Sequence, residues 1–128
     1  NDRFGHAVGD DVICGVANIM ASLPFQPIIG RIGGEEFVIL LPTTPLKAAT
    51  LFAEGIRIGI ANHRHESLPA VANVTASFGI AEFKAGGDLS EAMRKADIAL
   101  YAAKRGGRNR VASTDPIPHE SASLLCIA

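Results

Sequence analysis

The sequence predicts an α/β chain, organised as an α+β layer sandwich, on three observations. Apolar residues recur at helical spacing in three separate stretches. Short apolar strand-like runs lie between them, two of which are joined by a Gly-Gly turn. The two kinds of pattern alternate along the chain, which calls for helices layered on a sheet. At 128 residues the chain is one domain's worth, long enough to bury a core.

The first helical stripe is Val12, Val16, Ile19, Met20 and Leu23, with a start expected near Asp10 and a stop at Pro24. Asp10 or Asp11 would suit the positive end of that helix. Ile28 to Ile32 and Phe37 to Leu41 are apolar runs split by Gly33-Gly34, the pattern of a β-hairpin. Thr44 then offers an N-cap and Pro45 a first helical position. The helix they open has Ala49, Phe52, Ala53, Ile56 and Ile60 on one face and ends near Asn62. Residues 72–83 alternate, with Val74, Ala76, Phe78 and Ile80 on one face and Thr75, Ser77, Gly79 and Ala81 on the other. So small a second face predicts a strand covered on both sides. Asp88 and Glu91 have capping-box spacing ahead of a last helix whose stripe is Ala92, Met93, Ala96, Ala99, Leu100 and Ala103. Gly106-Gly107 closes it, and residues 108–112 read as a short final strand. From Ser113 there are two prolines and no periodicity, so the domain is expected to span 1–112 and a mobile tail 113–128.

Bulk properties narrow the function classes. Apolar content of 48% and charged content of 20% are those of an ordinary globular protein. A net charge of −1 supplies no global field for nucleic acid or a membrane surface. No stretch is long and apolar enough to span a bilayer, and no signal peptide opens the chain. Cys14 and Cys126 suggest neither a disulfide nor a metal knuckle, so a cytoplasmic location is the default. The chain opens "NDRFGHAVGDD" with no initiator Met, and reads as a piece cut from something longer.

Three clusters could carry chemistry. Gly33 and Gly34 leave backbone open to close approach, and the adjacent Glu35 and Glu36 must point in different directions if extended. Carboxylates are hard oxygen donors suited to Mg²⁺ accompanied by phosphate oxygens, although a solvated hairpin tip has the same look. Lys104 and Arg108 flank the Gly-Gly stop of the last helix, as a complement to its dipole or as a phosphate clamp. Asn1 and Asp10 flank a Gly-containing loop, with His6 inside it and Ile13 one turn on. A carboxylate there is a helix cap, or it accepts from both guanine donors and selects GTP. Walker, dinucleotide-binding and nucleophile-elbow motifs are absent.

In order, "ND..GH..GD" (1–10), "RIGGEEF" (31–37), "VTASFGIA" (74–81) and "ADIALYAAKRGGRNRV" (96–111) resemble the GGDEF family, the diguanylate cyclases, in a GGEEF variant. The resemblance implies a palm-like central sheet, similar to nucleotidyl cyclases and polymerases, with its first strand missing here. It implies condensation of two GTP into cyclic di-GMP and two pyrophosphates by a homodimer using Mg²⁺ or Mn²⁺. By match to the motif, Glu35 is the metal ligand and candidate base, and Glu36 the second motif acid. Gly33 and Gly34 admit the nucleotide, Asn1 and Asp10 read guanine, and Ile13 walls the base, with His6 as a further candidate. Lys104 and Arg108 grip the terminal phosphates; Arg31 lies nearby without an assigned role.

Two departures qualify that match. The family's Asp-x-Asp-x-Phe-Lys segment, with the other metal carboxylate, would precede Asn1. Residues 1–128 alone are therefore expected to be inactive. The family's Arg-x-x-Asp inhibitory site reads Pro24-Phe-Gln-Pro27 here, so no feedback inhibition is expected through it. Two other functions compete: a non-catalytic GTP-binding regulatory module, and a nucleotidyl cyclase making a monocyclic product. Partners beyond GTP and a second copy are not indicated, and any membrane attachment would come from an unseen upstream region.

Overall fold

The computed structural model describes residues 6–22, 27–65, 68–69, 73–84, 86–114 and 122–127, the backbone alone at 6–7 and 122–127. Its elements run α1 (His6–Ala21), β1 (Ile28–Arg31), β2 (Phe37–Leu41), α2 (Leu46–Asn62), β3 (Phe78–Phe83), α3 (Leu89–Arg105), β4 (Val111–Ser113) and β5 (Ala122–Ile127). The strands form one sheet in the order β1-β2-β5-β3-β4.

Strand alternation sorts the core onto two faces. Phe37, Ile39, Leu41, Phe78 and Ile80 point one way, into a buried cluster with Val16 and Met20 of α1 and Ala49, Ala53, Ile56 and Ile60 of α2. Val38, Leu40, Ala81 and Phe83 point the other way, against Ala92, Met93, Ala96 and Leu100 of α3. The result is a sheet between two helical layers, the architecture expected from the alternating patterns. The tightest contact lies at Gly79, where an added Cβ would collide with the Ala96 carbonyl oxygen and the Leu100 backbone nitrogen and lie 2.7 Å from Leu100 Cβ. The alanine stripe of α3 and the missing side chain at Gly79 thus bring helix and strand together at backbone distance.

Several boundaries differ from the sequence expectation. α1 begins at His6, so Asp10 lies a turn inside the helix and does not cap it. Thr44 does not cap α2; its hydroxyl donates to the Pro42 carbonyl at 3.0 Å, and Pro45 takes the cap position without a side-chain bond. β3 starts at Phe78, with residues 73–77 outside the ladder, and the final short strand is 111–113, parallel to β3. Asp88 caps α3 through Ser90 N–H at 2.8 Å, whereas Glu91 is turned to Arg94.

The largest difference is β5. Residues 122–127, expected in a mobile tail, occupy the middle of the sheet, antiparallel to both β2 and β3. Leu124-Leu125-Cys126-Ile127 is a short continuous apolar run, as befits a strand covered on both faces. The prolines at 116 and 118 lie upstream of it. Among the described residues no helix is long and apolar enough to cross a membrane.

One titratable group is built into the core. His65 is 8% exposed and stacks edge-on to His63, with ring centroids 4.7 Å apart. Its Nε2 has no hydrogen-bond partner among the described residues, and its Cε1 fills the space where a Gly15 Cβ would stand. Burial, then the neighbouring His63, hold its pKa below the ordinary 6.5, opposed by Asp11. A histidine with a depressed folded pKa contributes stability that is present above the unfolded value and lost as pH falls through the folded one. The urea midpoint should therefore drop on acidification from about pH 7.5 to about pH 5.5, and a His65→Leu variant should flatten that slope. An unchanged slope in the variant would assign the acid sensitivity elsewhere.

Candidate active site

The hairpin turn aims the carboxylates. β1 and β2 pair down to Arg31 opposite Phe37, leaving residues 32–36 to close the turn. The N–H groups of Ile32 and Gly33 both donate to the Glu36 carbonyl, at 2.9 and 3.3 Å. Arg31 then staples the turn: its Nε donates to the Gly33 carbonyl at 3.2 Å and a terminal nitrogen to the Gly34 carbonyl at 2.6 Å. The planar fork of a guanidinium presents its donors at fixed spacing and so suits two carbonyls at once. Neither glycine has a left-handed φ. A Cβ at Gly33 would stand 3.1 Å from Glu36 Oε2, the end of an exposed side chain that can give way, and Gly34 faces open space.

Glu35 and Glu36 leave the turn in different directions. Glu35 lines a cavity of about 250 Å³ between α1, the hairpin, the approach to β3 and the end of α3. Glu36 lines a separate groove of about 340 Å³ against α3, with Arg94 and Asp97. Glu36 also stands 4.0 Å from the Lys104 ammonium, a long and half-exposed ion pair that contributes little stability but biases where the lysine sits.

The 250 Å³ cavity gathers residues far apart in the chain. Ile13 and Val12 form an apolar wall from α1, and Lys104 and Arg108 bring positive charge from the end of α3. Glu35 is the one carboxylate among its described lining residues. Asp10 is exposed on α1, one turn before Ile13, and is not part of the lining. Asn1, Pro24 and the side chain of His6 lie outside the described residues; Pro27 is half-buried just ahead of β1. Thr75 and Ser77 also line the cavity, although their alternation in the sequence marked them only as a strand's small face.

The charge pattern suits a polyphosphate that brings a cation with it. Two cations can pair with phosphate oxygens, and Arg108 can do so with two nitrogens at once. Among the described residues no cluster of His, Cys, Asp or Glu could hold a metal ion unaided. A single carboxylate supplemented by substrate phosphates is nonetheless a donor set that Mg²⁺ accepts, so Glu35 fits a metal arriving with a nucleotide.

Comparison with known proteins identifies the family. Residues 1–110 match the family model described as diguanylate cyclase, GGDEF domain. The chain is 42% identical over 112 residues to the diguanylate cyclase DgcM of Escherichia coli K12, covering 87% of this chain and 27% of that protein. It is 40% identical over 119 residues to the response regulator PleD of Caulobacter vibrioides, covering 87% and 25%. The fold is similar to the active GGEEF domain of a diguanylate cyclase from Vibrio cholerae, with a TM-score of 0.82 at 36% identity over 91% of this chain and 75% of that one. It is likewise similar to Pseudomonas aeruginosa SiaD, solved with its activator SiaC, at a TM-score of 0.81 and 36% identity over 89% and 44%. The chain spans about a quarter of the length of these two curated relatives. A family pattern that runs through nearly all of the chain, on the fold of that family's solved members, means that the chain belongs to the GGDEF family of diguanylate cyclase domains.

Proposed function

We infer that this domain condenses two molecules of GTP into cyclic di-GMP with release of two pyrophosphates, in second-messenger signalling. The observation that carries the reading is the meeting of Glu35, Lys104 and Arg108 on one cavity walled by Ile13. In this reading the base packs along Ile13, Asp10 accepts from the N1–H and exocyclic amine of guanine, and Asn1 is the second guanine-reading residue. Lys104 and Arg108 grip the terminal phosphates and offset the charge that develops on the leaving pyrophosphate. Glu35 is the residue that would hold Mg²⁺ or Mn²⁺ with the phosphates, and such a metal would lower the pKa of the attacking hydroxyl.

The 3′-oxygen of each GTP forms a bond to the α-phosphorus of the other. The bond from that phosphorus to the pyrophosphate oxygen breaks, and the hydroxyl proton leaves to Glu35 or to solvent. Because one cavity holds one GTP, two copies must face each other across the substrates, and the active unit is a homodimer. Most of the rate then comes from alignment, since each nucleotide is nucleophile and electrophile at once.

The test is the product formed from GTP and Mg²⁺ by the full-length protein that carries this domain, identified by mass. Cyclic di-GMP is expected; a monocyclic nucleotide or unreacted GTP would overturn the assignment. One observation favours a narrower reading for residues 1–128 on their own. With the second metal carboxylate that the family resemblance implies not on the described lining, these residues are expected to bind GTP without turning it over. Robust synthesis of cyclic di-GMP by the 128-residue chain would refute that.

A further inference from the structure

Arg108 sits on backbone that does not hold itself in place. After α3 the chain passes through Gly107, Arg108 and Asn109 with φ of 113°, 59° and 45°. The second and third are left-handed conformations that a side chain disfavours, so surrounding contacts must enforce them. Arg108 N–H donates back to the Ala103 carbonyl at 3.1 Å, which ties the start of the turn to the helix. The far side is tied at Asn109, and by two residues from elsewhere in the fold.

Ser77 comes first. It is buried, 3% exposed, and its Oγ accepts the Asn109 backbone N–H at 3.1 Å. Arg57 of α2 comes second: its terminal nitrogen donates to Asn109 Oδ1 at 2.9 Å. The guanidinium is itself fixed, because its Nε donates to Glu54 at 2.7 Å one helical turn earlier. Asn109 is thus held through its backbone from one side and its side chain from the other. The backbone of Arg108, immediately before it, cannot turn without breaking one of these bonds.

We propose that Ser77 and Arg57 are positioning residues that act through Asn109 to aim Arg108 at the phosphates of the bound nucleotide. This rests on the reading of Lys104 and Arg108 as the phosphate grip. Neither residue is asked to touch the terminal phosphates. Their loss should therefore weaken triphosphate binding more than the binding of a nucleoside, and loss of Arg57, off the described lining, should leave the nucleoside unaffected.

The experiment measures GTP and guanosine affinity in the full-length protein, with Ser77→Ala and, as a variant at a more solvent-exposed site that keeps its aliphatic stem, Arg57→Met. Each should weaken GTP binding about three- to tenfold, the worth of one hydrogen bond, and Arg57→Met, which lies off the described lining of the cavity, should leave guanosine binding unchanged. In an Arg108→Ala background the same changes should have no further effect on GTP, since the group they aim is gone. Losses that persist in that background, or that fall equally on guanosine, would overturn the positioning role in favour of a general structural one. A clear preference for GTP over guanosine that both variants leave intact would also overturn it. An unmutated protein that binds GTP no more tightly than guanosine would instead overturn the phosphate-grip reading, and this proposal with it.

Discussion

Glu35→Gln in the full-length protein is expected to cut cyclic di-GMP synthesis at least about a hundredfold while GTP still binds. The amide keeps the shape of the carboxylate and loses its charge. Glu35 is the one carboxylate on the described lining of a cavity that otherwise offers Lys104, Arg108, two hydroxyls and apolar walls, so no described neighbour there can replace its charge. A hundredfold corresponds to about 2.7 kcal/mol of lost transition-state stabilisation, within the range for removing one preorganised electrostatic group. The loss should fall on kcat, because Lys104, Arg108 and the base wall are untouched. Glu36→Gln gives the contrast. Glu36 faces the other groove and touches the cavity only through its 4.0 Å approach to Lys104. Its loss should therefore show more in KM for GTP than Glu35's does. Steady-state kinetics on both variants decides the matter: equal kcat losses would mean that both carboxylates serve the reacting centre.

Gly79→Ala is expected to destabilise the fold by about 3 kcal/mol or more, the top of the usual range for overpacking. The reason is not conformational freedom, since Gly79 is not among the glycines with left-handed φ. The added methyl would meet the Ala96 carbonyl oxygen and the Leu100 backbone nitrogen, and backbone inside a helix cannot rotate away as a side chain can. α3 would have to lift off β3, opening the face lined by Ala92, Ala96 and Leu100. Chemical denaturation measures this directly, and a loss under about 1 kcal/mol would show that the helix shifts more freely than its packing implies. Gly34→Ala is the control, because a Cβ there meets open space.

Both effects depend on features of different legibility in the sequence. The hairpin could be read because Gly33-Gly34 between two apolar runs is a local signal, and the divergence of adjacent glutamates was expected from extended backbone, although both lie in the turn outside the ladder. The two-sided burial of residues 78–81 was visible in the small residues at Ser77, Gly79 and Ala81. The start of α1 was not, because an aspartate looks the same in a cap and in the second turn, and only tertiary packing decides how far a helix extends. Thr44-Pro45 failed similarly: α2 begins at Leu46, so Pro45 rather than Thr44 takes the cap position, a shift of one residue that the local signal does not resolve. The network around Arg108 was out of reach in principle. Its bonds join residues 32 and 52 positions apart, a separation at which local patterning carries no information. Arg31 is intermediate, being close to the glycines it holds, yet nothing in its neighbours says that its guanidinium turns back onto them.

β5 has a consequence for the order of assembly. Residues 122–127 stand between two units that are otherwise complete by local pairing: the β1–β2 hairpin, and β3 with α3 and β4. Each unit can form early, because its contacts are close in sequence. The joint between them is made by a segment whose partners lie across most of the chain, so its closure entropy comes late and all at once. Until that segment docks, β2 and β3 each present an open row of backbone donors and acceptors, flanked by side chains as apolar as Ile39 and Phe78. Those six residues close both open edges at once, so their removal is expected to leave β2 and β3 exposed to self-association.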